Sequence, residues 1–155
     1  MNTQHTFSAI NLSVTRGDRV IFEGLNYEIN SGQLLKLVGP NGSGKSTLLK
    51  AIAGLISPIE GNIISDDRVI AKDHDWICQH LCYLGHKNAL KKEFTVFQNI
   101  EFWASIWGNK DKIDLSMKQM GIAYLKDSPV RYLSSGQARR AALARSICHT
   151  ADIWL

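Results

Sequence analysis

The sequence predicts an α/β fold with a mainly parallel β-sheet. Three observations support it: strand-like and helix-like segments alternate, a glycine-rich loop joins an apolar run to an amphipathic segment, and a second apolar run ends the sequence. Alternation of strands and helices is typical of parallel sheets, because each parallel connection needs a long crossover that a helix usually supplies.

Size and composition bound the possible functions. The 155 residues suit one domain, and 45% apolar with 21% charged residues is enough for a packed core. The formal net charge of +4 suits nucleotides, nucleic acids or membrane surfaces without selecting among them. No run approaches the roughly 18 apolar residues of a membrane span. The first residues do not resemble a signal peptide, so we expect a cytosolic chain with three reduced cysteines.

Strand patterns open the sequence, in residues 7–14, 19–24 and 25–30. A turn is indicated at Ser31 and Gly32. Residues 33–38 are mostly apolar, which predicts a buried parallel strand leading into the glycine-rich loop.

A helix is predicted from Ser46, because apolar residues recur at helical spacing at Leu48, Ala51, Ile52 and Leu55. Two short strand patterns after it, residues 61–65 and 68–70, predict a small hairpin. Residues 82–86 are predicted to end another strand.

Helices dominate the predicted second half. The stripe formed by Val96, Ile100, Trp103 and Trp107 predicts a helix within residues 94–107. Residues 111–121 predict a second helix. Residues 134–149 predict a last one, whose apolar side carries Ala141, Ala144, Ile147 and Cys148, and residues 152–155 predict a closing strand.

The glycine-rich loop of residues 39–47, called the phosphate loop below, has the pattern G-x-x-x-x-G-K-[ST]. Its glycines let successive N–H groups point into one concavity, and the following helix adds its positive end. Lys45 can reach the β and γ phosphates of a nucleotide, and the Ser46 hydroxyl can bind Mg²⁺. The alternative is an incidental glycine-rich turn, which the flanking strand and helix patterns disfavour. The candidate nucleotide-binding residues are Gly39, Pro40, Asn41, Gly42, Ser43, Gly44, Lys45, Ser46 and Thr47.

A second candidate anion site precedes the last helix, at Leu133, Ser134, Ser135, Gly136 and Gln137. Either serine can cap a helix whose first turn exposes N–H groups. Taken alone, this segment is best explained as an ordinary capped helix.

The phosphate loop followed by L-S-x-G-Q, a basic helix and an apolar strand resembles the ATP-binding cassette (ABC) ATPases, over essentially the whole chain. The resemblance implies a P-loop NTPase core of the RecA-like kind, with a small antiparallel β subdomain and an α-helical subdomain. It implies one cassette, divided into the core and β subdomain (residues 1–86), the helical subdomain (87–132) and the signature helix with the start of the Walker B strand (133–155).

The same resemblance implies ATP and Mg²⁺ as cofactors and a catalytic role for Lys45. It also implies a head-to-tail homodimer, in which Ser135 and Gly136 of one copy approach the γ-phosphate held by the other. Integral membrane permease subunits are the implied partners, and no direct contact with nucleic acid is expected.

Two positions depart from the family pattern. His86 occupies the place of a glutamine that usually follows the strand before the helical subdomain, and an imidazole can still hydrogen-bond an attacking water. Arg16 lies where the family often stacks an aromatic ring on adenine, which a guanidinium can also do. Phe22 and Tyr27 remain alternatives for that stacking role.

Within the family, the chain most resembles the ATP-binding subunits of the haem exporters of cytochrome c maturation. This narrower resemblance implies the cytoplasmic face of an inner membrane, with attachment through permease subunits. Residues 87–127 match the docking region for a permease. We expect most of its aromatic residues to lie in the core and one or two to form the docking surface; they are Phe94, Phe97, Phe102, Trp103 and Trp107.

A cluster of possible metal ligands lies at His74, Cys78, His80, Cys82 and His86. Its spacing matches no common metal motif. If the region is a strand, Cys78, His80 and Cys82 share one face and cannot surround a metal ion. Buried thiols are the favoured interpretation.

In the resembled family, the strand at residues 152–155 continues into an Asp-Glu pair that orders Mg²⁺ and polarises water. We therefore expect a chain ending at Leu155 to bind nucleotide but hydrolyse it poorly, unless the sequence is a fragment of a longer protein. A soluble ABC protein acting on ribosomes or DNA and a P-loop kinase remain alternative functions.

Overall fold

The computed structural model describes residues 5–155, which divide into two units, residues up to 78 and residues 79–155. Part of the N-terminal stretch considered for a signal peptide lies outside the described residues. The strands are β1 (Thr6–Arg16), β2 (Arg19–Asn30), β3 (Glu60–Ser65), β4 (Arg68–Val69), β5 (Leu81–Cys82) and β6 (Ile153–Trp154). The α-helices are α1 (Lys45–Ile52), α2 (His74–His80), α3 (Val96–Ile106), α4 (Ile113–Gln119) and α5 (Ser135–Ile147), with 3₁₀ turns at Lys110–Lys112, Ala123–Leu125 and Val130–Tyr132.

The first unit is built on a four-stranded antiparallel sheet in the order β2-β1-β3-β4. The two strand patterns predicted at 19–24 and 25–30 form the single strand β2, and the predicted hairpin of β3 and β4 is confirmed. Alternation along β1 buries Phe7 and Ala9, and a register shift before Leu12 preserves the buried face beyond it.

Helix α1 is confirmed at its predicted place and contacts β1. It buries Leu48, Ala51 and Ile52 in the core of the first unit. The helix ends at Ile52, so Leu55, predicted on the same face, is 62% exposed instead.

The predicted buried strand at residues 33–38 is wrong. The structure assigns no strand to these residues, and the side chains of Leu34 and Val38 are 92% and 80% exposed. An apolar run has strand propensity, but a strand also needs a neighbour that accepts its backbone hydrogen bonds. A mainly parallel sheet is therefore not confirmed, and the larger sheet is antiparallel.

Parallel pairing occurs in the second unit, between β5 and β6. Leu81 pairs with Ile153 and Cys82 with Trp154, and the Leu155 N–H donates to the Cys82 carbonyl at 2.8 Å. Three α-helices separate these strands in sequence. This arrangement is the strand–helix–strand connection that the sequence predicts, and it makes the chain a mixed α/β protein.

The helices of the second unit pack around a core that includes α3, α4 and α5. Helix α3 begins with a capping box, in which Thr95 and Gln98 each bind the other's backbone N–H. The buried core residues are Val96, Ile100, Ala104, Ile113, Met117, Ile122, Val130, Ala141, Ala144 and Cys148. The predicted apolar sides of α3 and α5 are thus confirmed at Val96, Ile100, Ala141, Ala144 and Cys148.

Within residues 5–155, no helix is both long enough and apolar enough to cross a membrane.

We predict that the core of the second unit depends on Met117, which is 1% exposed. Met117→Ala should lower the free energy of unfolding by about 2–5 kcal/mol, because it removes buried surface and leaves a cavity. Urea unfolding followed by circular dichroism measures the change. The matched control on the same helix is Leu115→Ala, 57% exposed, which should change stability by less than about 0.5 kcal/mol. Equal losses for the two variants would contradict the assignment of this core.

Candidate functional site

The last three residues of the phosphate loop form the first turn of α1, and the cap residue of this helix makes no side-chain hydrogen bond. Gly44 occupies the cap position with a left-handed backbone (φ 91°, ψ 0°) and supplies no side-chain hydrogen bond. No acidic residue lies in the first turn. Because the N–H groups of a first helical turn lack partners within the helix, an anion is the group that best completes this end.

The Lys45 side chain folds back over the phosphate loop. Its Nζ donates to the carbonyl oxygens of Gly39 and Pro40, each at 2.7 Å, and approaches the Ser43 Oγ at 3.4 Å. An ammonium group has three protons to donate, and the loop supplies an acceptor for each. The positive charge therefore lies against the loop backbone. From there the Lys45 ammonium can exchange these acceptors for the phosphate oxygens of a nucleotide.

Packing makes glycine necessary at Gly44. A Cβ atom there would lie 2.7 Å from the Cγ2 of Ile21, a distance that side chains do not tolerate. Gly42 also has a positive φ of 85°, but a Cβ atom at Gly42 would meet nothing within 4 Å. The start of β2 thus presses directly on the loop at one glycine.

The three candidates for adenine stacking lie on the hairpin of β1 and β2. Arg16 is exposed and lies opposite Arg19 in the register of the two strands. Arg19 precedes Ile21, whose side chain contacts the loop, by two residues. Phe22 would lie 3.6 Å from a Cβ on Gly44. Tyr27 instead packs against Phe7 at 6.4 Å between ring centroids, and burial raises the pKa of its hydroxyl far above the usual value. Of the three candidates, Phe22 lies beside the loop, and Arg16 lies exposed at the end of β1.

Ser46 is the candidate oxygen ligand for a hard cation in this site. Ser46 lies exposed in the first turn of α1, and a hydroxyl is a ligand that Mg²⁺ accepts. Among residues 5–155, no group of three His, Cys, Asp or Glu side chains could hold a metal ion. Ser46 suits a Mg²⁺ ion that arrives with phosphate oxygens, as Mg²⁺ usually does.

The second candidate anion site, residues 133–137, is called the signature below; it leads into α5 and forms its first turn in the second unit. Ser134 is the cap: its Oγ accepts from the Gln137 N–H at 3.3 Å, while the Gln137 Oε1 accepts from the Ser134 N–H at 2.8 Å. The Gln137 Nε2 also lies 3.4 Å from the Tyr124 hydroxyl. Ser135 and Gly136 remain exposed, so the first turn of α5 is open to a ligand or a partner.

His86 lies exposed in the segment that follows β5, and helix α5 holds this segment. The Arg139 Nη1 donates to the Gly85 carbonyl at 2.8 Å, and the Arg145 Nη1 donates to the Ala89 carbonyl at 2.7 Å. Sequence reasoning missed both arginines. Their only signal was the presence of basic residues on an otherwise small and apolar helix.

The cluster of possible metal ligands needs correction. Its first part, His74 to His80, forms helix α2 and not a strand, and Cys78 is exposed where a buried thiol was expected. A helical pattern was hidden because the segment is short and its aromatic and apolar residues also suit a strand. Cys82 and Cys148 are buried as expected, and burial raises the pKa of each thiol.

The expectation that most aromatic residues of residues 87–127 lie in the core is also wrong. Phe94, Phe102 and Trp103 are 40%, 51% and 36% exposed, whereas Phe97 and Trp107 pack against the core. Small and branched residues fill the core at the inward positions of α3, and the larger rings lie at its edge. The Lys91 ammonium, for example, lies 5.2 Å from the centre of the Phe94 ring.

Comparison with known proteins decides the family. The family profile described as "ABC transporter" matches residues 22–155, which include the phosphate loop and the signature. The chain belongs to the ABC transporter family. As an ABC ATP-binding subunit it carries both sequence motifs of that family, one in each structural unit.

Curated relatives show which proteins of this family the chain resembles in sequence. The "Cytochrome c biogenesis ATP-binding export protein CcmA" of Paramagnetospirillum magneticum is 39% identical, over 97% of this chain and 71% of its own length. The protein of the same name in Haemophilus influenzae is 37% identical, over 100% of this chain and 74% of its own length.

Solved structures share the ABC fold. The "Putative ABC transporter (ATP-binding protein)" of Pyrococcus furiosus superposes with a TM-score of 0.83 and 28% identity, over 96% of this chain and 73% of that one. A bacterial Atm1-family ABC exporter with ATP bound gives a TM-score of 0.86 at 24% identity, over 99% of this chain and 29% of its own. The second likeness concerns the fold alone.

We predict that Gly44→Ala destabilises the first unit more than Gly42→Ala does. Both glycines have positive φ, so the difference isolates the contact with Ile21, and overpacking of this kind costs about 1–3 kcal/mol. Urea unfolding measures the two losses. Ile21→Ala combined with Gly44→Ala should recover part of the difference. Equal losses at Gly42 and Gly44, or no recovery, would contradict this packing.

Proposed function

We propose that the chain is the ATP-binding, energy-coupling subunit of an exporter that serves cytochrome c biogenesis. The observation that carries the proposal is the uncapped start of α1, with the Lys45 ammonium held over the phosphate loop. The names of the curated relatives supply the biological context. The transport enzyme would use ATP hydrolysis to move its permease subunits.

ATP binding would exchange the partners of Lys45. The ammonium leaves the Gly39 and Pro40 carbonyls for the β and γ phosphates, which carry more charge than carbonyl oxygens. The N–H groups of residues 44–47 would face the phosphates, and Ser46 would offer its hydroxyl to Mg²⁺. A bound Mg²⁺ ion supplies neutralisation of the phosphate charge.

A second copy of the chain would complete the site. The capping box fixes Ser134, while Ser135 and Gly136 stay exposed at the positive end of α5, a fitting contact for a γ-phosphate held by the other copy. His86 would hydrogen-bond the attacking water in this dimer. Its place in a segment bonded to α5 supports a role linked to the signature.

The permease would dock on an exposed aromatic surface formed by Phe102 and Trp103 of α3 and by Phe94, which precedes this helix. Exposed rings beside lysine stems suit a partner surface that is apolar at its centre. We propose the subdomain limits 1–86, 87–132 and 133–155 for this cassette. The chain would then lie at the cytoplasmic face of the inner membrane, held there by permease subunits.

We predict that Lys45→Ala lowers the affinity for ATP by at least about tenfold, since hydrogen bonds from a charged donor are worth about 1.5–3 kcal/mol. Isothermal titration calorimetry with Mg²⁺-ATP measures the change. The matched control is Lys50→Ala, at the exposed last turn of the same helix, which should bind as the unaltered chain does. A folded chain without measurable ATP affinity would overturn the proposed function.

The permease is tested by purification from membranes. Affinity-tagged chain extracted in mild detergent should bring with it an integral membrane protein, which mass spectrometry would identify as a subunit of the cytochrome c biogenesis exporter. The double variant Phe94→Ser with Phe102→Ser should lose at least about 90% of it, because rings at an interface often carry most of the binding energy. Leu115→Ser, exposed on α4, is the control and should retain it. Recovery of a subunit from an unrelated transporter would refute the assignment to cytochrome c biogenesis.

A further inference from the structure

Residues 85–89, in the segment between β5 and α3, are held at both ends by one helix. Two arginines of α5 reach these residues. Arg139 donates to the Gly85 carbonyl at 2.8 Å and lies 3.4 Å from the Asn88 Oδ1. Arg145 donates to the Ala89 carbonyl at 2.7 Å. His86 lies between these attachment points in sequence. The arginines bind the Gly85 and Ala89 carbonyls and the Asn88 side chain on either side of it.

The backbone of this segment is held in an unusual conformation. Ala89 has a φ of 50°, in the left-handed region that residues other than glycine rarely adopt. Its carbonyl is the one that Arg145 binds. Just downstream, the buried Asn99 side chain accepts from the Lys91 N–H at 2.8 Å and donates to the Lys91 carbonyl at 3.0 Å. Residues 85–91 lie outside any strand or helix, and side chains bind their backbone at Gly85, Ala89 and Lys91.

Arg145 is a buried cation that no carboxylate neutralises. It is 8% exposed, and among residues 5–155 no Asp or Glu lies within salt-bridge distance of it. Its guanidinium lies 5.6 Å from the centre of the Trp103 ring, and burial lowers its pKa. A buried charge without a counter-ion is costly, so its placement indicates that the bond to Ala89 and the face of Trp103 compensate for it.

We propose that Arg139 and Arg145 are positioning residues that clamp residues 85–89 to the signature helix, so that His86 moves together with Ser135 and Gly136. Residues 139 and 145 are six positions apart on α5, or about 9 Å along a helix, so the clamp has two separate points and resists rotation. The functional part of the inference rests on the proposed function. The clamp itself is a property of the second unit alone.

The clamp is tested by hydrogen exchange with mass spectrometry. Arg139→Gln and Arg145→Lys should each speed exchange of residues 85–91 by about tenfold or more, because a bond from a charged donor is lost or weakened. Exchange within α5 should stay unchanged. Arg140→Gln, an exposed neighbour on the same helix, is the matched control and should leave residues 85–91 as they were. Unchanged exchange in both test variants would overturn the clamp.

The functional consequence is tested on the complete exporter with its permease subunits. Arg139→Gln should lower the kcat of ATP hydrolysis by about tenfold and leave the KM for ATP within about twofold, because the lost bonds position His86 and do not touch the phosphate loop. Arg139→Lys should recover part of the kcat, since an ammonium can still reach one of the two acceptors. An unchanged kcat would overturn the positioning role, and an equal loss in KM would reduce the arginines to a general structural role.

The outcomes separate the two proposals. If the chain binds no ATP, the proposed function fails, but the exchange experiment still decides whether the clamp exists. If ATP binding requires Lys45 while hydrogen exchange of residues 85–91 is unchanged in both arginine variants, the proposed function stands and the clamp is refuted. If Arg145→Lys loses its folded structure, Arg139→Gln carries the test, because Arg139 is less buried.

Discussion

The site depends on the start of α1, the positive end of a helix dipole, which lies within the phosphate loop. Gly44 gives the helix a left-handed entry without a side-chain cap, and the first turn contains no carboxylate. Lys45 adds a full charge and turns it toward the loop carbonyls. Ile21 presses on Gly44 from β2, so the antiparallel sheet of the first unit keeps the loop in shape. An anion with several oxygens is the group that satisfies all of these donors together.

The first turns of the three longest helices, α1, α3 and α5, differ in how they are capped. Helices α3 and α5 both begin with a capping box, Thr95 with Gln98 and Ser134 with Gln137. These boxes satisfy two N–H groups at each start, which leaves less donor capacity for a ligand than at the uncapped α1. The start of α5 therefore suits an anion that is already bound by stronger donors elsewhere. This difference in donor strength agrees with a primary phosphate site at α1 and a secondary contact at Ser135 and Gly136.

Local patterns predicted the parts of the fold that local forces decide. Strand alternation located β1 and β2, and helical spacing located α1, α3, α4 and α5, because each pattern follows directly from side-chain geometry. The predicted strand at residues 33–38 does not form. An apolar run indicates burial, but it cannot supply the neighbouring strand that a buried strand needs. The phosphate loop and the signature were recognisable because their residue types are chemically constrained. Arg139 and Arg145 were not, because their acceptors lie more than fifty positions away.

The buried position of Arg145 also changes how the net charge of the chain is interpreted. A net charge of +4 from 18 basic and 14 acidic residues suggests a surface that attracts anions. Arg145 contributes to that total from the interior, where its charge serves the Ala89 carbonyl and the Trp103 ring. A lysine there would keep the charge but lose the planar group that bonds in one direction while stacking in another. The attraction for anions therefore comes less from total charge than from Lys45 and the helix start beside it, where donors converge on one point.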